Sequence, residues 1–335
     1  MNIVNIITLP FELRVHILCF VGTKFNEFSN SMFGGNDLLN NYKYHILNRL
    51  SEYNTVTKFT TEGNKSIKMK LPDGRLHHTH KPSVVIFNDK NIIIRQRWHI
   101  LGKYNRYCKD KNVSSLPSTI GYYDDGNIKS EFWFVNDIPH RIGYPAYIEY
   151  SEKDCGVKQE MWYAEGKLDR IVYDNDNKSI IRDVGKPTII TYDKDVIVGE
   201  EYYVQGKLHR ENDLPAKRRI NNEGTLVLKW VIHGMIYRDN YLPAVIQYKK
   251  NGNIQKQWYE NGKLHRSRIS TCNEHDTSLL IRTKNLHVTQ HGKLHSQNNI
   301  IDNNLAADIS YDKHNNVIRE AWFHYGVLLY SIEYN

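Results

Sequence analysis

The stretch Trp258-Tyr-Glu-Asn-Gly-Lys-Leu-His-Arg266 returns, little changed, as Tyr202 to Arg210 and as Trp162 to Arg170. Asn-Gly between β-forming residues is a strong hairpin signal, because a two-residue type I′ turn needs positive φ at both central positions. With Asn261-Gly262 as that turn, Glu260 pairs with Lys263, Tyr259 with Leu264 and Trp258 with His265. Side chains alternate along a strand, so Trp258 and His265 share one face and Tyr259 and Leu264 the other. The same pairing sets Tyr202 against His209 and Trp133 against His140, which predicts a face carrying an aromatic and imidazole ladder.

With the turn glycine as register mark, the marks fall at Gly74, Gly102, Asp137, Gly166, Gly206, Gly234, Gly262, Gly292 and Gly326, 28 to 40 residues apart. Recurrence at that length belongs to arrays whose unit is one supersecondary element. Tryptophan checks the alignment independently: Trp98, Trp133, Trp162, Trp230, Trp258 and Trp322, all six in the chain, stand four residues before a mark. Tyr202 takes that place before Gly206, and Lys70 and Val288 take it before Gly74 and Gly292. A second piece follows the mark, seen as Leu242-Pro-Ala-Val-Ile-Gln-Tyr248 and again at 144–150, 186–192 and 116–120, and leads to further turns such as Asn251-Gly252 and Asp125-Gly126. Each unit thus reads as strand, tight turn, strand, with proline at a strand entry where no ladder donor is needed. The expected fold is mainly β: an elongated, open antiparallel β-hairpin array of about nine repeats over 71–335. A small α-helical segment at 1–50 and a connecting segment at 51–70 precede it.

Composition agrees, since Tyr and Asn are abundant and Ala scarce, which favours strands and turns over helices. The formal charge is +8, yet Lys and Arg are interleaved with Asp and Glu throughout. A groove tracking a nucleic-acid backbone needs one dominant sign, so the Trp and Tyr rows read as the packing spine of a thin sheet and not as a nucleic-acid platform. Cys19, Cys108, Cys155 and Cys272 form no CxxC pair, which speaks against a zinc module or a disulfide framework and for reduced thiols. There is no basic leader and no apolar run of about eighteen residues, so a soluble, intracellular, cytoplasmic protein is expected.

Catalytic and metal chemistry find little support. His77, His78 and His80 are the densest histidine cluster, but His77 is the repeat's own histidine and no Cys or carboxylate stands at ligand spacing, so no metal is expected. His140, His209, His265 and His295 recur because the repeat recurs, which is the behaviour of structural residues. Glu131 and Glu160 are expected on a solvated face, paired across the hairpin with Arg141 and Arg170. No phosphate-binding glycine loop, GxSxG elbow, HExxH or kinase signature is present. The sequence therefore predicts neither catalytic residues nor a cofactor, and points to recognition. The positions after each Leu-His and the irregular stretch 267–284 are the candidate contacts.

The unit Tyr/Trp-x-x-Asn-Gly-Lys-Leu-His-Arg resembles the MORN repeat in a variant form, in particular arrays encoded by large DNA viruses of protists. The resemblance covers roughly 70–335 and implies a twisted β-meander with partner contacts along it; a viral origin would place the chain in host cytoplasm. The longer unit and the Leu-His-Arg after the turn depart from the standard pattern, and peripheral lipid binding stays open. The segment Leu9-Pro-Phe-Glu-Leu-Arg-Val-His-Ile-Leu-Cys-Phe-Val21 resembles the opening of an F-box. Leu9-Pro10 stands at a helix start, with Leu13, Ile17 and Leu18 on one helical face. A second helix from Asp37, carrying Leu38, Leu39, Tyr42, Ile46 and Leu50, would pack against it. The resemblance implies docking on a Skp1-like adaptor of a cullin ubiquitin ligase, with an unknown protein substrate held by the repeats. The other reading of the same helices is a cap on the open end of the array.

Overall fold

The computed structural model describes residues 37–61, 63–106, 116–174, 176, 179–239, 242–266 and 305–334, with side chains from residue 44 onward. The F-box-like residues Leu9, Pro10, Leu13, Ile17 and Leu18, the mark Gly292 and the stretch 267–284 lie outside the described residues. The chain divides into two compact units, 1–207 and 208–335, each described by itself.

In the first unit the helix Asp37–Tyr53 leads into an antiparallel meander. Its strands are Thr55–Phe59, Lys65–Met69, Val84–Phe87, Ile93–Arg97, Thr119–Tyr122, Ile128–Phe132, Tyr147–Tyr150, Val157–Met161, Ile189–Asp193 and Val196–Glu201, each paired with the next. The second unit repeats the pattern with Lys217–Ile220, Leu226–Lys229, Val245–Tyr248, Ile254–Gln257, Asp308–Tyr311, Val317–His324 and Val327–Glu333. The mainly β hairpin array expected from the sequence is thus the observed fold.

The two turns read in each unit belong to two kinds of hairpin, a division the sequence did not reveal. The long strands make the continuous meander, whereas the register marks sit on separate two-residue hairpins, such as Tyr163–Ala164 with Lys167–Leu168 and Tyr259–Glu260 with Lys263–Leu264. The tryptophan interrupts the strand between them. Only the last repeat among those described runs through it, as the strand Val317–His324.

At Asn261-Gly262 the anticipated turn is present, with φ of 50° and 74° and the pairs Glu260–Lys263 and Tyr259–Leu264. The Asp125-Gly126 and Asn251-Gly252 turns differ from expectation. There only the glycine is left-handed, at 89° and 87°, and its N–H closes a four-residue turn onto Tyr123 and Lys249. The longer loop forms because the Asp or Asn side chain at the preceding position accepts the N–H two residues on, at 2.9 Å for Asp125 and 3.0 Å for Asn251, which holds that residue out of the left-handed region.

The core is a seam of tryptophans against small residues. Trp98, Trp133, Trp162, Trp230 and Trp258 each donate their backbone N–H to the carbonyl of Ser118, Ala146, Thr188, Ala244 and Ala307, the small residue opening the following long strand, at 2.8 to 2.9 Å. Those small residues are no more than 1 % exposed. A larger side chain there would occupy the space of the indole, which is why Pro-Ala, Pro-Ser and Pro-Thr recur at strand entries.

Candidate interaction surface

Every sequence-predicted spine residue is buried: Trp98, Trp133, Trp162, Tyr202, Trp230, Trp258 and Trp322 are all 3 to 7 % exposed. The described marks Gly74, Gly102, Gly166, Gly206, Gly234, Gly262 and Gly326 all have positive φ, as does Asp137. A mark's N–H reaches back to a carbonyl of the hairpin before it, so Gly102 donates to Leu76, Gly166 to Pro139 and Gly326 to Leu264 at 2.8 to 2.9 Å. The recurrent histidines add a second stitch. Nδ1 of His77, His140 and His209 accepts the N–H of Leu101, Glu165 and His233, the first left-handed residue of the next turn, at 3.1 to 3.2 Å. At His77 and His140 the ring is kept neutral for that role. Burial, aided by neighbouring cations, holds His77 down at about 3, and burial likewise lowers His140.

The arginine ending the motif has a structural use that sequence reasoning missed. Eight residues beyond the tryptophan, its guanidinium lies over the indole: Arg106 on Trp98, Arg141 on Trp133, Arg170 on Trp162, Arg238 on Trp230 and Arg266 on Trp258, at 3.7 to 4.1 Å from the ring centroid. The same group donates to the carbonyl of the strand-entry proline, as Arg106 does to Pro117, Arg141 to Pro145, Arg170 to Pro187 and Arg238 to Pro243. Burial lowers the guanidinium of Arg266 to about 10. In the last repeat Tyr330 takes the arginine's place and stacks on Trp322 at 4.4 Å. The expected Glu131–Arg141 and Glu160–Arg170 pairs are therefore corrected. The arginines are committed to tryptophan, and Glu131 and Glu160 accept the hydroxyls of Tyr150 and Tyr192 from the next repeat at 2.7 and 2.9 Å. The constant Trp-to-Arg spacing was the signal that could have shown this.

Tryptophan, arginine and histidine are taken up by the spine, and the other face of the first unit carries a separate set of side chains. Cross-strand register places Lys68, Arg97, Phe132, Tyr147, Met161 and Glu201 in one row of that face. Half-buried rings continue through it, from Tyr104 to Phe134 at 5.2 Å, Phe134 to Phe132 at 4.3 Å and Phe132 to Tyr147 at 5.3 Å. Lys68 and Arg97 stand at one end of the row and Glu201 at the other, so the face is polarised in charge about an aromatic centre. At the basic end lies a cleft of about 310 Å³ lined by Lys68, Arg97, Ser66 and Tyr104 over Leu76, Val84 and Ile86. In the second unit a cleft of about 250 Å³ is bordered by Glu211, Asp213, Asp239 and Arg238, but Arg238 is already paired with Asp213 at 2.7 Å.

The longest mark spacing, Gly166 to Gly206, holds an inserted hairpin of Ile171–Tyr173 with Ile180–Arg182, which the sequence reading passed over. Arg182 clamps Asp169, a residue in the histidine position, through both carboxylate oxygens, while Ile180, Ile181 and Val184 are exposed. The helix Asp37–Tyr53 buries Ile46, Leu47 and Leu50 to 2 % exposure or less. Asn48 holds the first repeat, giving its amide hydrogen to Thr79 Oγ1 at 2.7 Å and accepting the Thr79 N–H at 2.9 Å. His78 and Lys81 meet Glu52 at 3.2 and 2.7 Å. The histidine cluster therefore serves as a helix anchor, and among the described residues no group of three or more His, Cys, Asp or Glu is placed to hold a metal ion. No helix among them is long and apolar enough to cross a membrane. No family model matches the chain, and no curated protein is similar to it.

Proposed function

We propose that the chain is a non-catalytic protein-interaction module, an F-box-type substrate adaptor in which residues 9–21 recruit a Skp1-like adaptor and the repeats hold the target protein. The observation that supports recognition is the division of labour between the two sheet faces. The repeated Trp, Arg and His groups are spent on holding the array, which leaves the half-buried aromatic row from Tyr104 to Tyr147 and the exposed Ile180, Ile181 and Val184 for a partner. The MORN-like and F-box-like resemblances support the same reading.

A scaffold without ubiquitin function is the second reading, and the docking of Asp37–Tyr53 through Asn48 and Leu50 favours a capping role for that helix. Deleting residues 1–50 would uncover the first repeat on either reading, so point substitutions make the cleaner test. Pull-down of a purified Skp1-like adaptor is compared for the wild type and the Leu13→Asp, Ile17→Asp double variant. Capture by the wild type alone supports the adaptor. Equal capture, or none, leaves the scaffold.

A further inference from the structure

We propose that the cleft between Lys68 and Arg97 is a binding site for an organic phosphomonoester, whose dianion meets the two cations while its apolar body lies against Tyr104 and the aliphatic floor. Lys68 and Arg97 flank Val84 in the cross-strand register, so both side chains rise from the same sheet face. Both line the cleft and neither forms an ion pair among the described residues, whereas Lys81, Lys158, Arg182, Arg238 and Arg319 all do. Lys65 also borders the cleft, but strand alternation sets its side chain on the face opposite to Lys68, with its ammonium over the Phe87 ring at 5.1 Å.

No carboxylate is among the described residues lining the cleft, in contrast to the acid-bordered cleft of the second unit. The half-buried Lys68 and Arg97 thus bring positive charge to the cleft with no lining carboxylate to offset it. His99 forms part of the wall and does not supply a third positive charge. Its Nδ1 is engaged by the Ser83 hydroxyl at 2.8 Å, and burial with the nearby Arg97 holds it at about 4, so it is neutral at pH 7.

The Tyr104 hydroxyl supplies a neutral donor, the Ser66 hydroxyl being turned to the Lys58 carbonyl at 3.5 Å, and the guanidinium of Arg97 presents the planar fork that suits phosphoryl oxygens. The volume of about 310 Å³ exceeds what a phosphate group fills. Leu76, Val84 and Ile86 make the floor and the Tyr104 ring a wall, held by His99 at 4.3 Å and Phe134 at 5.2 Å, so the remainder suits a flat apolar body. The site shares Tyr104 with the aromatic row, but it does not rest on the adaptor reading and survives or fails without it.

The test is calorimetric titration of the full chain at low salt with phenyl phosphate, inorganic phosphate and a decathymidylate oligonucleotide. It is repeated with the Lys68→Gln, Arg97→Gln double variant and with Lys68→Arg, and urea unfolding confirms that each variant is folded. The expected result is one saturable site for phenyl phosphate, weakened about tenfold or more in the double variant and held within about threefold by Lys68→Arg, with competition by salt. Tighter binding of phenyl phosphate than of inorganic phosphate assigns an esterified ligand; equal binding assigns free phosphate to the same oxyanion site and overturns the ester. Absence of saturation, unchanged affinity in the folded double variant, or tighter binding of the oligonucleotide than of phenyl phosphate overturns the proposal.

Discussion

Acid should loosen the start of the array, and the effect can be worked out from two histidines. His77 and His99 are 0 and 3 % exposed, and burial holds their rings at about 3 and about 4. In the unfolded chain both return to an ordinary value near 6.5. A base whose folded-state pKa is depressed takes up protons in the unfolded state first, so its stabilising contribution is complete above pH 6.5 and falls as the pH drops toward the folded value. The slope is about 1.4 kcal/mol per pH unit for each histidine, giving about 2.7 kcal/mol lost per ring at pH 4.5 and about 5 kcal/mol for the two. That is a large fraction of the 5 to 15 kcal/mol typical of a domain. His77→Asn isolates one of them, because Asn Oδ1 replaces the Nδ1 acceptor for the Leu101 N–H and does not titrate; Asn105 already occupies the equivalent place in the next repeat. Urea unfolding followed by tryptophan fluorescence at pH 7.5, 6.0 and 4.5 should show the variant somewhat less stable at pH 7.5 and closing on, or passing, the wild type by pH 4.5. A stability difference between the two that does not change with pH would refute the reasoning.

Three further outcomes are expected. Arg238→Gln removes the stack on Trp230, the bond to the Pro243 carbonyl and the pair with Asp213, and should cost about 1 to 3 kcal/mol in urea unfolding; Arg238→Lys should not restore it, because the planar fork is lost. Asn48→Ala leaves the buried Thr79 N–H without its acceptor, so it should cost about 1 to 3 kcal/mol and raise amide hydrogen exchange across the first repeat before any other. Gly252→Ala combines φ of 87° with a Cβ that would approach Lys313 Cβ to 2.8 Å; a loss of about 1 kcal/mol or more, seen as a lowered thermal midpoint, is expected.

The repeat, its register and the mainly β class were legible in the chain because they rest on local rules. Asn261-Gly262 encodes its own turn, alternation fixes the faces, and the tryptophans keep a fixed distance from the marks. The Asp125 and Asn251 turns went astray for a reason also local, since side-chain capping competes with the positive φ that the dipeptide permits. What lay beyond the sequence depended on neighbours brought together by stacking one repeat on another. Only the tertiary structure showed Arg141 lying on Trp133 and not against Glu131, and His77 handing its lone pair to the next turn. The same holds for Lys68 and Arg97, 29 positions apart in sequence, which flank Val84 on one sheet face because three strands share a register. Periodicity can announce that a residue recurs. Whether it recurs to bind a partner or to hold the next repeat is decided by which donors and acceptors the stacked backbone leaves unsatisfied, and that accounting exists only in three dimensions.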